Sequence, residues 1–307
     1  MLEKKLEQLR ELIRSYRSCL VAYSGGVDSV FLASVVRDVL RDKSLAAIAD
    51  SPSLPRRELQ AALEIADKFQ IPVRVVRTKE FENPAYLANP NDRCYFCKHE
   101  LFEELSPIAR EEGFAVIAYG ENASDVGDFR PGARAAAEFQ VRAPLKEVGL
   151  TKAEIRELSA QLGLPTAGKP QMACLSSRIP YGEEVTPEKL RMIETAENHL
   201  RDLGFHDVRV RHHELRVSGA TFQVQVSDAR SAAIAKPDTS RLAARKSYLA
   251  RIEVGMAEIP RFLQNETFLG VAAALKRIGY DHVTLDLQGY RRGNLNEQSL
   301  LRRGQPT

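Results

Sequence analysis

A short apolar run, Cys19-Leu20-Val21-Ala22-Tyr23, leads into Ser24-Gly25-Gly26-Val27-Asp28-Ser29, and a helical pattern follows from about Asp28 to Leu40. This reads as a buried strand that ends in a glycine turn and restarts as a helix. Glycines let the backbone approach an oxyanion closely. The helix N-terminus adds unpaired N–H groups and the positive end of a dipole. Ser24 and Ser29 supply hydroxyl donors. Asp28 does not favour a bare phosphate, so it implies a bridging Mg²⁺. No Gly-Lys-Ser/Thr follows, so this is not a Walker A loop. Ser24, Gly25, Gly26, Val27, Asp28 and Ser29 are therefore candidate nucleotide-binding residues.

The strand–helix alternation continues on both sides of this turn. Leu2, Leu6, Leu9, Ile13 and Tyr16 recur at helical spacing over Leu2 to Arg17. Leu45 to Ala49 reads as a strand, Arg57 to Phe69 as a helix, Val73 to Val76 as a strand, Lys98 to Glu112 as a helix and Ala115 to Tyr119 as a strand. Elements of these lengths in this order predict right-handed crossovers and a mostly parallel sheet, an α/β fold. Gly120 and Asp125 follow the last of these strands, at a carboxyl end, where open parallel sheets bind ligands. Asp125 is thus a candidate second contact for Mg²⁺ or pyrophosphate. Thr151-Lys152-Ala153-Glu154 is a capping box for a helix that stops at Gly163.

A second, smaller α+β domain is predicted after Pro180-Tyr181-Gly182, giving domains over 1–180 and 181–307. Thr186-Pro187 opens a helix to Leu203. Asp207 to His212, Thr221 to Val226, Ala250 to Val254 and His282 to Leu287 read as strands, with helices around Arg241 and from Phe268 to Ile278. Ala229 to Ser240 reads as a loose loop.

Composition bounds the partners. Of 307 residues 44% are hydrophobic, enough for real cores, and a formal net charge of +3 is too mild for a nucleic-acid coat or a membrane surface. The N-terminus lacks a secretory pattern, and no run approaches the roughly 20 apolar residues of a membrane span. A cytoplasmic protein with no nucleic-acid or membrane partner is expected.

Of four cysteines, Cys94 and Cys97 form Cys-x-x-Cys and Cys174 stands alone in Gln171-Met172-Ala173-Cys174-Leu175-Ser176-Ser177-Arg178. In a reducing compartment this points to metal or redox chemistry rather than a disulfide frame. The pair alone fits zinc, an iron–sulfur cluster, a redox couple or two buried thiols. A zinc site needs a histidine, from His99, His212 or His213. A three-cysteine 4Fe-4S cluster leaves one iron open for a sulfide or substrate atom. Cys19, at the start of the first strand, is expected in the core. On a strand, Arg209, Arg211 and His213 share one face, and two guanidiniums two residues apart suit a phosphate.

SGGVDS after a buried strand resembles the PP-loop of ATP pyrophosphatases, with an adenine nucleotide alpha hydrolase-like fold. These enzymes release pyrophosphate and leave an adenylylated substrate. Ala49-Asp50-Ser51 matches the segment that lies along the adenosine, which implicates Ser51. Further motifs occur in order along nearly the whole chain: GDFRPG (Gly127 to Gly132), PLKEVGLTK (Pro144 to Lys152), ACLSSRIPYG (Ala173 to Gly182), VRVRHH (Val208 to His213) and VTLDLQGYRRG (Val283 to Gly293). Together they resemble the LarE family, sulfur transferases that build the nickel-pincer nucleotide.

The resemblance implies that ATP adenylylates a carboxylate of pyridinium-3,5-biscarboxylic acid mononucleotide and that sulfur then displaces AMP. Cys174 matches the sulfur-bearing cysteine, and Arg178 in the same motif is a candidate catalytic residue. One branch of the family sacrifices this cysteine to dehydroalanine. The other joins it to a Cys-x-x-Cys pair around a 4Fe-4S cluster carrying sulfide, and this chain resembles that branch. Glu197, Arg209 and Arg211 match substrate-binding positions. The implied partners are the nucleotide substrate, sulfide or a sulfur donor, and further copies of the chain in a homo-oligomer, a hexamer.

The chain departs from the family pattern between His213 and Ala250, where it is longer and Leu215 to Val226 alternates like an extra hairpin. Arg261 falls where the sacrificial branch carries an acid. Two other readings stay open: a different PP-loop enzyme, thiolating tRNA or amidating, and a zinc-stabilised nucleotide-binding protein.

Overall fold

The computed structural model describes residues 2–125, 131–170, 173–215, 246–264 and 266–291. The expected strand at Thr221 to Val226, the hairpin that includes it, the loop at Ala229 to Ser240 and the helix around Arg241 lie outside the described residues. So do residues 127–130 of the GDFRPG motif and residues 171–172 before Ala173. The chain forms two compact units, one of residues 1–177 with 181–190 and one of residues 178–180 with 191–307.

In the first unit, α1 (Leu2–Tyr16), β1 (Cys19–Ala22), α2 (Val27–Leu40), β2 (Ser44–Asp50), α3 (Arg56–Lys68) and β3 (Val73–Arg77) follow in order. Then come α4 (Pro84–Leu87), α5 (Arg93–Glu111), β4 (Val116–Tyr119), α6 (Pro131–Glu138), α7 (Pro144–Glu147) and α8 (Lys152–Gln161). The four strands are all parallel, in the order β3-β2-β1-β4. The alternation of β1 explains its place at the centre. Cys19 and Val21 enter a core with Leu9, Ile13, Phe31 and Leu158, while Leu20 and Ala22 enter another with Phe102, Leu105 and Ala135. A strand buried on both faces is what a doubly covered parallel sheet requires. The direction of strand order reverses at β1, so the crevice between the turns after β1 and β4 is the ligand-binding place in such a sheet.

Cys19 is fully buried, as expected, and burial pushes its thiol pKa up to about 12. The capping box of α8 also forms. Thr151 Oγ1 accepts from Glu154 N, and Thr151 N donates to Glu154 Oε2 at 2.8 Å. Glu154 also accepts two bonds from the Lys5 ammonium, at 2.8 and 2.9 Å. The Lys5 and Thr151 bonds hold its carboxyl at about 2 instead of 4.5. A depressed carboxylate stabilises the fold fully above its ordinary value and loses that contribution as pH falls through it toward the folded one. Glu154→Gln is therefore expected to cost about 1–2 kcal/mol at neutral pH. The difference from wild type should shrink as pH falls from 4.5 toward 2. Urea melts across that range check it, and a pH-independent difference would contradict it.

α9 (Pro187–Asp202) spans the division between the units. The second unit holds β5 (Arg209–Leu215), β6 (Ser247–Glu253), α10 (Ile259–Phe262), α11 (Thr267–Ile278) and β7 (His282–Leu285). β5 and β6 are antiparallel, and β6 and β7 parallel. Leu200, Phe205, Val210, Ile252, Val271 and Leu275 share its core. Arg261 donates to Gly204 O at 2.9 Å and Leu203 O at 2.8 Å, closing the carbonyl end of α9.

Candidate active site

The turn after β1 is built by a few short contacts. Gly25 has φ +69°, and a Cβ there would stand 2.6 Å from Ala62 Cβ of α3. Only glycine fits the conformation and the space. Ser29 Oγ accepts from Ser24 N at 3.1 Å, lies 3.0 Å from Ser24 Oγ and donates to Gly26 O at 3.1 Å. Gly26 caps α2 without a side-chain bond, which leaves the first N–H groups of the helix for a ligand. Gly120 brings the turn after β4 against this helix start, since a Cβ there would lie 2.9 Å from Ser29 N. Asp125 Oδ2 accepts from Asn122 N at 3.1 Å and closes that turn.

Three lysines that pattern reading left without a role converge here. Lys152 Nζ pairs with Asp28 Oδ2 at 2.5 Å. Lys169 Nζ donates to Gly25 O at 3.2 Å and pairs with Glu58 at 2.7 Å. Lys146 pairs with the buried Glu121 at 2.9 Å, beside Gly120. One signal in the sequence points to Lys152: it is the first residue of α8, and a cation at a helix N-terminus is disfavoured unless an anion answers it.

The cysteine segments meet at the same edge of the sheet. α5 starts at Arg93, five residues earlier than the pattern predicts, so Cys94 and Cys97 sit one turn apart on its first turns. Arg93, almost fully buried, donates to Asn89 Oδ1 and to Ser176 O, and its Nη2 is 3.9 Å from Cys174 Sγ. Burial works against its charge, but Cys174, Tyr86 and Cys94 outweigh it. Buried Ser53, Tyr86 and Ser176 share a ring of hydroxyl hydrogen bonds. Leu175 N donates to Ser53 O at 2.8 Å, and Ser53 N donates to Ser51 Oγ at 3.2 Å. The Cys174 segment is thereby fastened to the loop after β2, the loop that carries Ser51.

All three thiols lie within electrostatic reach of one another. Burial raises the pKa of Cys94, and Cys174 adds to the rise; burial, Glu80 and Cys174 raise that of Cys97. In metal-free protein the alkylation of Cys97 should be slow at neutral pH and keep accelerating above the ordinary thiol value of 9.0. Peptide mapping of alkylated protein across pH checks this, and a rate already level at 9.0 would contradict it.

In the second unit Arg178 and Glu197 are both fully buried. Arg178 grips Glu197 through Nε at 2.8 Å and Nη2 at 3.1 Å. Glu197 also accepts from Arg201 at 2.8 Å and from Val210 N at 3.1 Å. Burial raises its pKa, but the arginines prevail and hold it below the ordinary carboxylate value. Arg209 and Arg211 are both about as buried as Val210 and His212. Arg211 forks onto Glu253 with two bonds of 3.0 Å, and Arg209 lies over the Tyr290 ring and donates to Val208 O. Among the described residues, Arg178, Arg201, Arg209, Arg211 and Arg251 gather around Glu197, Glu253 and Asp286.

No protein-family model matches the chain. It is 30% identical over 298 residues to the pyridinium-3,5-bisthiocarboxylic acid mononucleotide synthase of Lactiplantibacillus plantarum, covering 96% of this chain and 95% of that one. The chain belongs to the LarE family. It is also 41% identical over 296 residues to an uncharacterised protein of Synechocystis, covering 96% of this chain and 98% of that one. A glutamine-hydrolysing GMP synthase of Rippkaea orientalis is 27% identical over 235 residues, 65% of this chain and 42% of that one. This LarE-family protein is therefore a sulfur-transferring enzyme of the PP-loop superfamily. Among its described residues no helix is long and apolar enough to cross a membrane.

Among the described residues no three His, Cys, Asp or Glu side chains converge on one ion-sized point. His99 packs against Phe139 and Tyr95, and His212 and His213 belong to the other unit. Thiolates of a cluster bind different irons and stand farther apart than ligands of one ion, which fits three neighbouring thiols.

Proposed function

We propose that this LarE-family enzyme adenylylates a carboxylate of pyridinium-3,5-biscarboxylic acid mononucleotide and converts it to a thiocarboxylate, with Cys94, Cys97 and Cys174 holding a 4Fe-4S cluster. The observation that carries the reading is the fastening of the Cys174 segment to the loop after β2, alongside the nucleotide turn. Activation and sulfur delivery then share one edge of the sheet. The Lactiplantibacillus plantarum relative is named for making the bisthiocarboxylic form of this nucleotide, which supports this substrate class.

In this reading the substrate carboxylate attacks the α-phosphorus of ATP and pyrophosphate leaves. Ser24, Ser29 and the N–H groups at the start of α2 receive the leaving pyrophosphate, and Ser51 lies along the adenosine. Asp28 holds the Mg²⁺ of MgATP, with Asp125 as a second contact. Lys152 and Lys146 offset the remaining negative charge. Hydrosulfide then attacks the acyl carbon, AMP leaves, and a proton is released. The cluster, when bound, supplies sulfide on an iron that no cysteine occupies. Arg93, with Nη2 3.9 Å from Cys174 Sγ, positions that sulfur. Arg209 and Arg211 give the substrate phosphate a positive field that Glu197 and Glu253 hold in shape.

Incubation with MgATP and the biscarboxylate mononucleotide should yield AMP and pyrophosphate, and Asp28→Ala should remove the activity. Release of ADP and phosphate would overturn this chemistry.

A further inference from the structure

The short helix α4 is held from several sides. Asn83 caps it, accepting from Ala85 N at 2.9 Å, and Pro84 fits its first position. Leu87 O accepts from Val185 N at 2.9 Å and Asn89 O from Gly182 N at 2.9 Å, both from the segment that follows the Cys174 motif. The helix buries Tyr86, whose aromatic ring stands edge-on to that of Phe81 at 5.2 Å. Tyr86 is thus a side chain fixed at both its backbone and its ring.

Its hydroxyl bonds to Ser53 Oγ and lies 2.8 Å from Ser176 Oγ, and the two serine oxygens are 2.9 Å apart. Three hydroxyls offer three donors for these three bonds, so each donates once and accepts once. All three side chains are buried, so removing one hydroxyl leaves the other two short of a partner away from water. Ser53 lies two residues from Ser51, and Ser176 two residues from Cys174. Tyr86 is the corner of this triangle that belongs to neither loop. Arg93 Nη1 donates to Ser176 O at 3.1 Å while its Nη2 is 3.9 Å from Cys174 Sγ, so the triangle and the sulfur share one buried brace.

We infer that Tyr86 is a positioning residue for sulfur transfer: its hydroxyl holds the loop of Ser51 and the loop of Cys174 at one fixed spacing. The inference rests on the adenylylation and sulfur transfer proposed above. In that reaction the acyl-adenylate has two fates. Hydrosulfide attacks the acyl carbon and gives the thiocarboxylate, AMP and a proton. Water attacks the same carbon and gives back the carboxylate, with AMP and two protons. The adenosine lies along the Ser51 loop and the sulfur is held at the Cys174 loop, so their spacing decides between the two fates. A displacement of about 1 Å costs a positioned reaction roughly 100-fold. Tyr86 acts on that spacing through the two serines.

The test uses anaerobically reconstituted, sulfide-loaded wild type, Tyr86→Phe and Ser176→Ala, freed of excess sulfide. Each is mixed with MgATP and a substoichiometric amount of the biscarboxylate mononucleotide, and AMP and thiocarboxylate are both measured. Wild type should release them in equal amounts. Tyr86→Phe keeps the aromatic packing on Phe81 and the Ser53–Ser176 bond, so it should fold. It should release about tenfold or more AMP over thiocarboxylate, because water takes the adenylate that sulfur no longer reaches. Ser176→Ala removes a different corner and should shift the ratio in the same direction, which keeps the test decisive if Tyr86→Phe does not fold. A triangle that served the fold alone would lower both products together. An unchanged ratio in the folded variants would therefore overturn the positioning role while leaving the proposed reaction intact. Wild type that forms ADP, or AMP without thiocarboxylate, would overturn the proposed reaction and this role with it.

Discussion

Arg178→Ala should cost the protein about 3–5 kcal/mol, because it strips a fully buried carboxylate of its main partner. Glu197 keeps Arg201 and the Val210 N–H, which sets the loss toward the lower end of that range. Glu197→Ala should be worse. It removes a shared acceptor from two arginines and a backbone N–H, beside Arg209, whose own pKa is already lowered by burial and by Arg178. By contrast Arg14→Ala, which breaks an exposed pair with Glu7, should leave the urea midpoint close to that of the wild type. Urea melts of the three variants check the order. An Arg178→Ala midpoint equal to that of Arg14→Ala would contradict the buried-pair account.

The second large effect is at the nucleotide turn. Gly25→Ala forces a left-handed backbone on an L-residue, at roughly 1–2 kcal/mol. It also drives a methyl into Ala62 Cβ at 2.6 Å, where α3 backs the loop, and overpacking of this kind costs roughly 1–3 kcal/mol more. The turn must open, so the Ser24–Ser29 contacts and the helix N–H groups lose their common focus, and ATP affinity should fall by about 100-fold or more. Gly26→Ala is the control. Gly26 has φ −85°, and its Cβ would meet Ser24 Oγ at an ordinary 3.5 Å. It should fold normally and bind ATP within a few-fold of wild type. Equal affinities for the two variants, measured by calorimetry, would contradict the geometry.

The parts of this site visible in the sequence are those with a local cause. The apolar run of β1, the glycine turn, the Thr151–Glu154 capping box and the helical stripe of α1 each follow from neighbours in the chain, and each appears within a residue or two of its predicted place. The start of α5 was less legible. The aromatic and cysteine residues at 94–97 carry little helical periodicity, and the helix there is fixed by Arg93 reaching to Ser176, 83 residues away. Long-range partners have no local signature at all. Lys152 meets Asp28 across 124 residues, and Ser53, Tyr86 and Ser176 meet across as many as 123. β5 shows the same limit. Its arginines read as one strand face suited to a phosphate, and only the tertiary contacts reveal Glu253 from β6 and Glu197 from α9 as the charges that allow them to be buried.

The central claim is that sulfur passes through the three-cysteine site without consuming it. Intact-protein mass spectrometry tests this most directly, on anaerobically reconstituted enzyme given MgATP, excess sulfide and the biscarboxylate mononucleotide. The account predicts more than one thiocarboxylate product per chain and an unchanged protein mass, with Cys94→Ala, Cys97→Ala and Cys174→Ala each losing transfer and the core variant Cys19→Ala retaining it. A single product per chain, with the mass of one H₂S lost and dehydroalanine at Cys174, would contradict it.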